Sequence, residues 1–245
     1  SPRPSRRISA SRTFSDGAAI LAARGALRTG VGMLRVACDP IHRQAFLDLL
    51  PGVILVDPAN PQEVADAADA SDAVVAGPGM GTDPGGPLPR ALVRVLGRRG
   101  SALPLLLDAD ALTLLARGTL PAWGEGRPVL LTPHPGECLR LLRGRGRAGD
   151  RDPEGEADPA LDPLSAARAV ADEYDATCLL KGTPSVVVGP VPDDGFPLPV
   201  LVSASGSTAF ARGGMGDVLA GVAGALLARG LAPADAAGVA LHLTG

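Results

Sequence analysis

Lysine is almost missing from this chain. Of its 23 basic residues all but Lys181 are arginine, and asparagine occurs once, at Asn60. With Ala, Gly, Pro and Arg abundant, this reads as a coding bias that replaces Lys by Arg wherever a guanidinium serves. The lysine that survives, at the end of an apolar run in LLKGT, is therefore a candidate for a role that needs a compact ammonium. Cysteine is sparse as well. Cys38, Cys138 and Cys178 lie far apart in apolar segments, which excludes a CxxC zinc knuckle or an even disulfide framework and fits buried free thiols in a cytoplasmic protein. No apolar run approaches the ~20 residues of a membrane span, and the opening SPRPSRRISASRTFS has no apolar core of a secretion signal. Charge of one sign is also lacking: 23 basic against 26 acidic residues leave a net −3. Nothing in that balance points to nucleic acid or an anionic membrane, so a small-molecule partner is expected.

What is present is an alternation. The length suits one sizeable α/β core, and a single domain over residues 1–245 is the expectation. Helical spacing marks 17–29, 41–50, 61–70, 87–99, 110–116, 136–143, 163–174 and 214–229. Short continuous apolar runs lie between them: MLRVAC, VILV, AVVAG, PLLLDAD, VLLT, TCLLKG and SVVVG. Such runs separated by helices predict a parallel sheet covered on both faces, whose ligands bind at the carboxyl ends of the strands. Four strands end in a polar or glycine-rich signature: AVVAG-PGMGTD, LLLD-ADAL, VLLT-PHPGE and CLLK-GTPS. Residues 144–163, rich in Gly, Pro and charge, read as a mobile surface loop.

The stretch ARGGMGDVLAG poses the chemical question. Gly213, Gly214 and Gly216 allow close approach to the backbone, and the apolar helix after them turns the loop amides into outward donors suited to a phosphate. An acid there, Asp217, makes sense if it takes the proton of a hydroxyl as a phosphoryl group arrives. The alternative is a helix-capping acid; four strand-end motifs on the same edge favour the base. A side chain at Gly214 is expected to spoil the phosphate site while leaving the ligand-free fold nearly as stable, the loop lying at the surface edge of the sheet.

GGMGDVLAG, GPGMGTD at 77–83, LDADAL at 107–112, LTPHPGE at 131–137 and LKGT at 180–183 together resemble the nucleotide-dependent NAD(P)H-hydrate dehydratases, from about Gly17 to the end of the chain. The resemblance implies a ribokinase-like three-layer α/β/α sandwich with a mostly parallel central sheet. It implies repair of hydrated NADH or NADPH: ADP or ATP phosphorylates the ring hydroxyl, and phosphate then leaves. By the same resemblance Asp217 is the catalytic acid–base group. Lys181, Gly182, Thr183, Pro184 and Ser185, with Gly214, Met215 and Gly216, hold the nucleotide, and Ala18, Gly79, Gly81 and His134 line the pocket for the hydrated cofactor. Mg²⁺ as companion of the nucleotide, no protein-bound metal, and a homo-oligomer, a tetramer, are also implied.

Several residues keep two readings. His134 could serve rigidity between Pro133 and Pro135; Asp108, Asp110 and Glu137 could satisfy helix-start amides or order water and Mg²⁺. His42 reads as a surface residue and His242 as a helix-packing one. The family's usual opening strand is not found in residues 1–16, and Ser207, Thr208 and Arg212 depart from its pattern, Arg212 adding a positive charge beside the phosphate site. A ribokinase-like kinase of a small alcohol and a non-catalytic nucleotide-binding protein are the competing functions.

Overall fold

The computed structural model describes residues 15–98, 102–144, 162–190, 200–203 and 213–244. Helix α1 (Ser15–Arg28) leads to β1 (Arg35–Ala37), a short 3₁₀ turn, α2 (Arg43–Leu49), β2 (Ile54–Val56), α3 (Pro61–Asp69), β3 (Val74–Ala76) and α4 (Pro87–Leu96). Then come β4 (Leu105–Leu107), α5 (Ala109–Ala116), β5 (Val129–Leu131), α6 (Pro135–Gly144), α7 (Pro163–Tyr174), β6 (Thr177–Leu180), β7 (Ser185–Val188), β8 (Leu201–Ser203), α8 (Met215–Ala228) and α9 (Pro233–Thr244). Starts follow local chemistry: Asn60 caps α3 through its side-chain oxygen, with Pro61 in the first turn, and Asp162 caps α7 ahead of Pro163.

The six-stranded sheet runs β3-β4-β5-β6-β7-β8. It is parallel through β6, and antiparallel at β6-β7 and β7-β8. Alternate residues go to opposite faces, as the pleat requires. Leu105, Leu107, Val129, Leu131, Cys178 and Leu180 join one core with α3 to α7, whereas Leu106, Leu130, Leu179 and Val187 join a second with α8 and α9. Two buried faces on one sheet are the three-layer α/β/α arrangement expected from the uninterrupted apolar runs. All three cysteines are buried free thiols.

The sheet is not continuous. β1 and β2 pair with each other in a separate parallel ribbon. A cavity of about 1050 Å³, lined among others by Ala22, Val36, Val75, Ala76, Leu92 and Gly224, lies between that ribbon and β3. Among the described residues α1 is the first element; the stretch 1–14, in which no opening strand is legible from sequence, lies outside them. Helix α1 is held by α8, through a crossing so close that a Cβ on Gly221 would lie 1.9 Å from the Ala22 carbonyl oxygen. That contact explains Gly221; Gly224, on the same helix, makes room for Val75 of β3. The loop expected at 144–163 falls mostly on residues 145–161, outside the described residues, as do Ser207, Thr208 and Arg212.

Candidate active site

The strands bearing the four signatures, β3, β4, β5 and β6, are consecutive neighbours and mutually parallel, so their carboxyl ends form one edge. Contacts between adjacent ends lock that edge. The Asp108 amide donates to the Ala76 carbonyl at 3.0 Å, Thr132 to Leu107 at 3.1 Å, and Lys181 to Pro133 at 2.8 Å. After β3 the chain turns through Gly77, Gly79 and Gly81, all at positive φ, and the Gly81 amide donates to Asp110 Oδ2 at 2.8 Å. Gly77 is obligatory: a Cβ there would sit 1.7 Å from the Asp108 carbonyl oxygen.

The PHPGE turn is a reciprocal helix cap with histidine in the cap position. Gly136 and Glu137 donate their amides to His134 Nδ1 at 3.0 and 3.4 Å, and the His134 amide donates to Glu137 Oε2 at 2.9 Å. Nδ1 thus acts as an acceptor and the neutral ring carries its proton on Nε2, which faces Glu137 Oε1 at 3.4 Å. The half-exposed His134 ring therefore has a local structural role, whatever else it does. Glu137 is 7% exposed and also reaches toward Lys181, with Oε2 4.0 Å from Nζ.

Lys181 lies at the end of β6, and its ammonium donates to Asp108 Oδ1 at 2.7 Å. After it, the Ser185 hydroxyl accepts from the Gly182 amide at 3.1 Å and donates to the Gly182 carbonyl at 2.9 Å, closing the GTPS turn. Across the site Gly214 is the cap residue of α8, at φ +93° and without a side-chain cap. A Cβ on Gly216 would lie 3.4 Å from the Lys181 ammonium, which places the start of α8 against the end of β6. Asp217, in the first turn of α8, is half-buried. Burial, then Asp108, then Asp110 push its carboxyl above the usual range, with Lys181 pulling the other way.

Lys181, Gly216 and Asp217 thus come together, with His134 joined to them through Glu137 and Gly81 through Asp110. Ala18 lies one helical turn before Leu21, whose side chain packs where a Gly214 Cβ would go, so α1 borders the glycine loop. Two expectations need correction. Gly214 is wedged against Leu21 and held in a left-handed backbone, so a side chain there perturbs the fold as well as the loop. His242 is exposed on α9 rather than packed. Among the described residues no three His, Cys, Asp or Glu side chains gather to hold a metal. Asp108 is engaged by Lys181, Asp110 by Gly81 and Glu137 by His134.

The fold is ribokinase-like. A ribokinase-like superfamily protein from Enterococcus faecalis superimposes with a TM-score of 0.73 at 20% identity, covering 98% of this chain and 81% of that one. The chain belongs to the NAD(P)H-hydrate dehydratase family, whose model matches residues 10–245. It is 37% identical to a bifunctional NAD(P)H-hydrate repair enzyme, Nnr, of Salinibacter ruber over 94% of its length and 40% of that protein's. It thus spans about 40% of the length of that curated relative. An ADP/ATP-dependent NAD(P)H-hydrate dehydratase of Bacillus subtilis, co-crystallised with ATP/Mg²⁺ and soaked with CoA, superimposes with a TM-score of 0.71 at 28% identity, covering 95% of this chain and 77% of that one.

Proposed function

We propose that this chain dehydrates hydrated NADH and NADPH, in the S configuration at the hydrated ring carbon, back to the reduced cofactors, using ADP or ATP as phosphoryl donor. The observation that carries the reading is the Lys181 ammonium at the end of β6 lying beside Gly216 in the first turn of α8, where its charge acts on the Asp217 carboxyl. Hydroxide is a poor leaving group and phosphate a better one, and the adjacent ring nitrogen can expel it, so the protein's task is to bring hydroxyl and phosphoryl group together and bear the charge that develops. Asp217, with its carboxyl pushed up, is the group that accepts the hydroxyl proton. The amides of Gly214, Met215 and Gly216 and the residues 181–185 take the nucleotide phosphates, and Gly79, Gly81, His134 and Ala18 take the hydrated cofactor. Mg²⁺ is expected to arrive with the nucleotide.

The chain acts as one domain in this reading. A cytoplasmic setting is supported by three buried thiols; assembly into a tetramer rests on the resemblance alone. The test is an assay of hydrated cofactor with ADP or ATP that follows both free phosphate and the absorbance of reduced nicotinamide. Release of both together is expected. A stable phosphomonoester from a small alcohol, with no recovery of that absorbance, would identify a kinase instead, and nucleotide binding without phosphate release a non-catalytic protein.

A further inference from the structure

Asp108 occupies the cap position of α5, where an aspartate ordinarily accepts a bond from the helix's own amides, yet its side chain makes no such bond. The carboxylate is instead turned to a residue 73 positions away, accepting from the Lys181 ammonium at 2.7 Å. The local backbone is bent to this end: Ala109, with a Cβ, is held at φ +45°, a conformation that persists only where its surroundings impose it. Gly77 must lack a side chain for the Asp108 carbonyl to lie where it does. Burial is asymmetric, Asp108 being 2% exposed and the Lys181 side chain 20%. The pair is therefore anchored at its carboxylate end and open at its ammonium end, toward the start of α8.

We propose that Asp108 is a positioning residue, whose buried carboxylate holds the Lys181 ammonium beside the first turn of α8 and thereby fixes both nucleotide contact and the environment of Asp217. The proposal rests on the roles given above to Lys181 and Asp217. Its electrostatic consequence has a definite sign. The charged groups acting on Asp217 are Asp108 and Asp110, which raise its pKa, and Lys181, which lowers it. Neutralising Asp108 removes a repelling charge and leaves the ammonium uncompensated, so both changes lower the pKa of Asp217. The acid limb of the rate profile, along which Asp217 loses its ability to accept a proton, should move to lower pH.

Asp108→Asn is expected to raise the nucleotide KM tenfold or more and to shift the acid limb of kcat downward in pH. Asp108→Glu, which keeps the charge but pushes the ammonium outward by one methylene, should raise KM with the limb little moved. Because Lys181 is the only lysine, its ¹⁵N-labelled ammonium is an unambiguous probe that needs no turnover. Its resonance should be observable in the native protein and broadened or lost through faster exchange in folded Asp108→Asn. Should that variant not fold, Asp108→Glu decides on KM and resonance. Native-like nucleotide KM, acid limb and ammonium resonance in the folded variants would overturn the proposal and leave the ion pair as scaffold. Native enzyme inactive on hydrated cofactor would sink the dehydratase reading instead, with the ammonium resonance still deciding whether Asp108 orders Lys181.

Discussion

Gly214→Ala probes whether the glycine loop is shaped by its ligand, by its neighbours or by both. The backbone at 214 sits at φ +93°, and the new Cβ would lie 2.5 Å from a δ-methyl of Leu21. The left-handed conformation costs an L-residue about 1–2 kcal/mol. Leu21 is a flexible side chain, so the contact is relieved by a rotamer displaced at a cost of order 0.5–1 kcal/mol. The sum, about 2 kcal/mol, corresponds in a chain of this size to a melting temperature lower by roughly 4–8 °C. In Leu21→Ala/Gly214→Ala the steric part vanishes and the backbone part stays, so the cost of adding the methyl group should fall by about a third in that background. If the loop amides also hold phosphate, turning them away should lower the rate on the order of 10²–10³-fold and shrink the stabilisation conferred by ATP. Melts with and without nucleotide, together with the phosphate-release assay, measure all three. A variant that melts with the parent would refute the strain argument, and one that melts lower yet retains full turnover and full stabilisation by ATP would refute the phosphate cradle.

Asp217→Asn should reduce turnover roughly 10²–10⁴-fold, the usual range for losing a general base, with nucleotide binding kept; a loss under about threefold would remove Asp217 from proton transfer. The same variant should melt higher than the parent at neutral pH. The carboxyl is raised in the folded state, so the native protein binds the proton more tightly than the unfolded chain. Stability contributed by that proton is present at low pH and lost as pH rises through the raised pKa, and Asn removes the loss; an unchanged or lower melting temperature would contradict it. Lys181→Arg, the exchange this composition favours elsewhere, should weaken nucleotide use, because a planar fork does not fill the place of an ammonium held by Asp108 and Glu137; an unaltered nucleotide KM would return Lys181 to chance. The Cys138 thiol, pushed up to about 12 by burial, should resist alkylation at pH 8 until the chain is unfolded; rapid native-state labelling at Cys138 would show the core to be open there.

The gathering of the four strand ends was legible because it is local: each signature follows its apolar run directly, and a parallel sheet gathers such ends on one edge whatever the loops do. What escaped has physical reasons too. β8 is an edge strand with Leu201 42% and Val202 60% exposed, so it presents no run of buried residues. Helix α9 buries only alanines, Ala236, Ala237 and Ala240, and a face of small residues gives little periodic contrast. The break between β2-β1 and β3 is a property of pairing across elements, which apolar runs cannot specify. The Asp108–Lys181 pair joins residues far apart in sequence, and no spacing rule reaches across that distance. Glu137 was named from sequence as a group able to satisfy a helix-start amide, and it does accept the His134 amide. The departure at Asp108 carries the most information. An acid at a cap position whose side chain leaves the helix amides unbonded, next to a non-glycine residue in a left-handed conformation, breaks two local rules at once. Such conflicts are expected where function, rather than folding, has set the geometry.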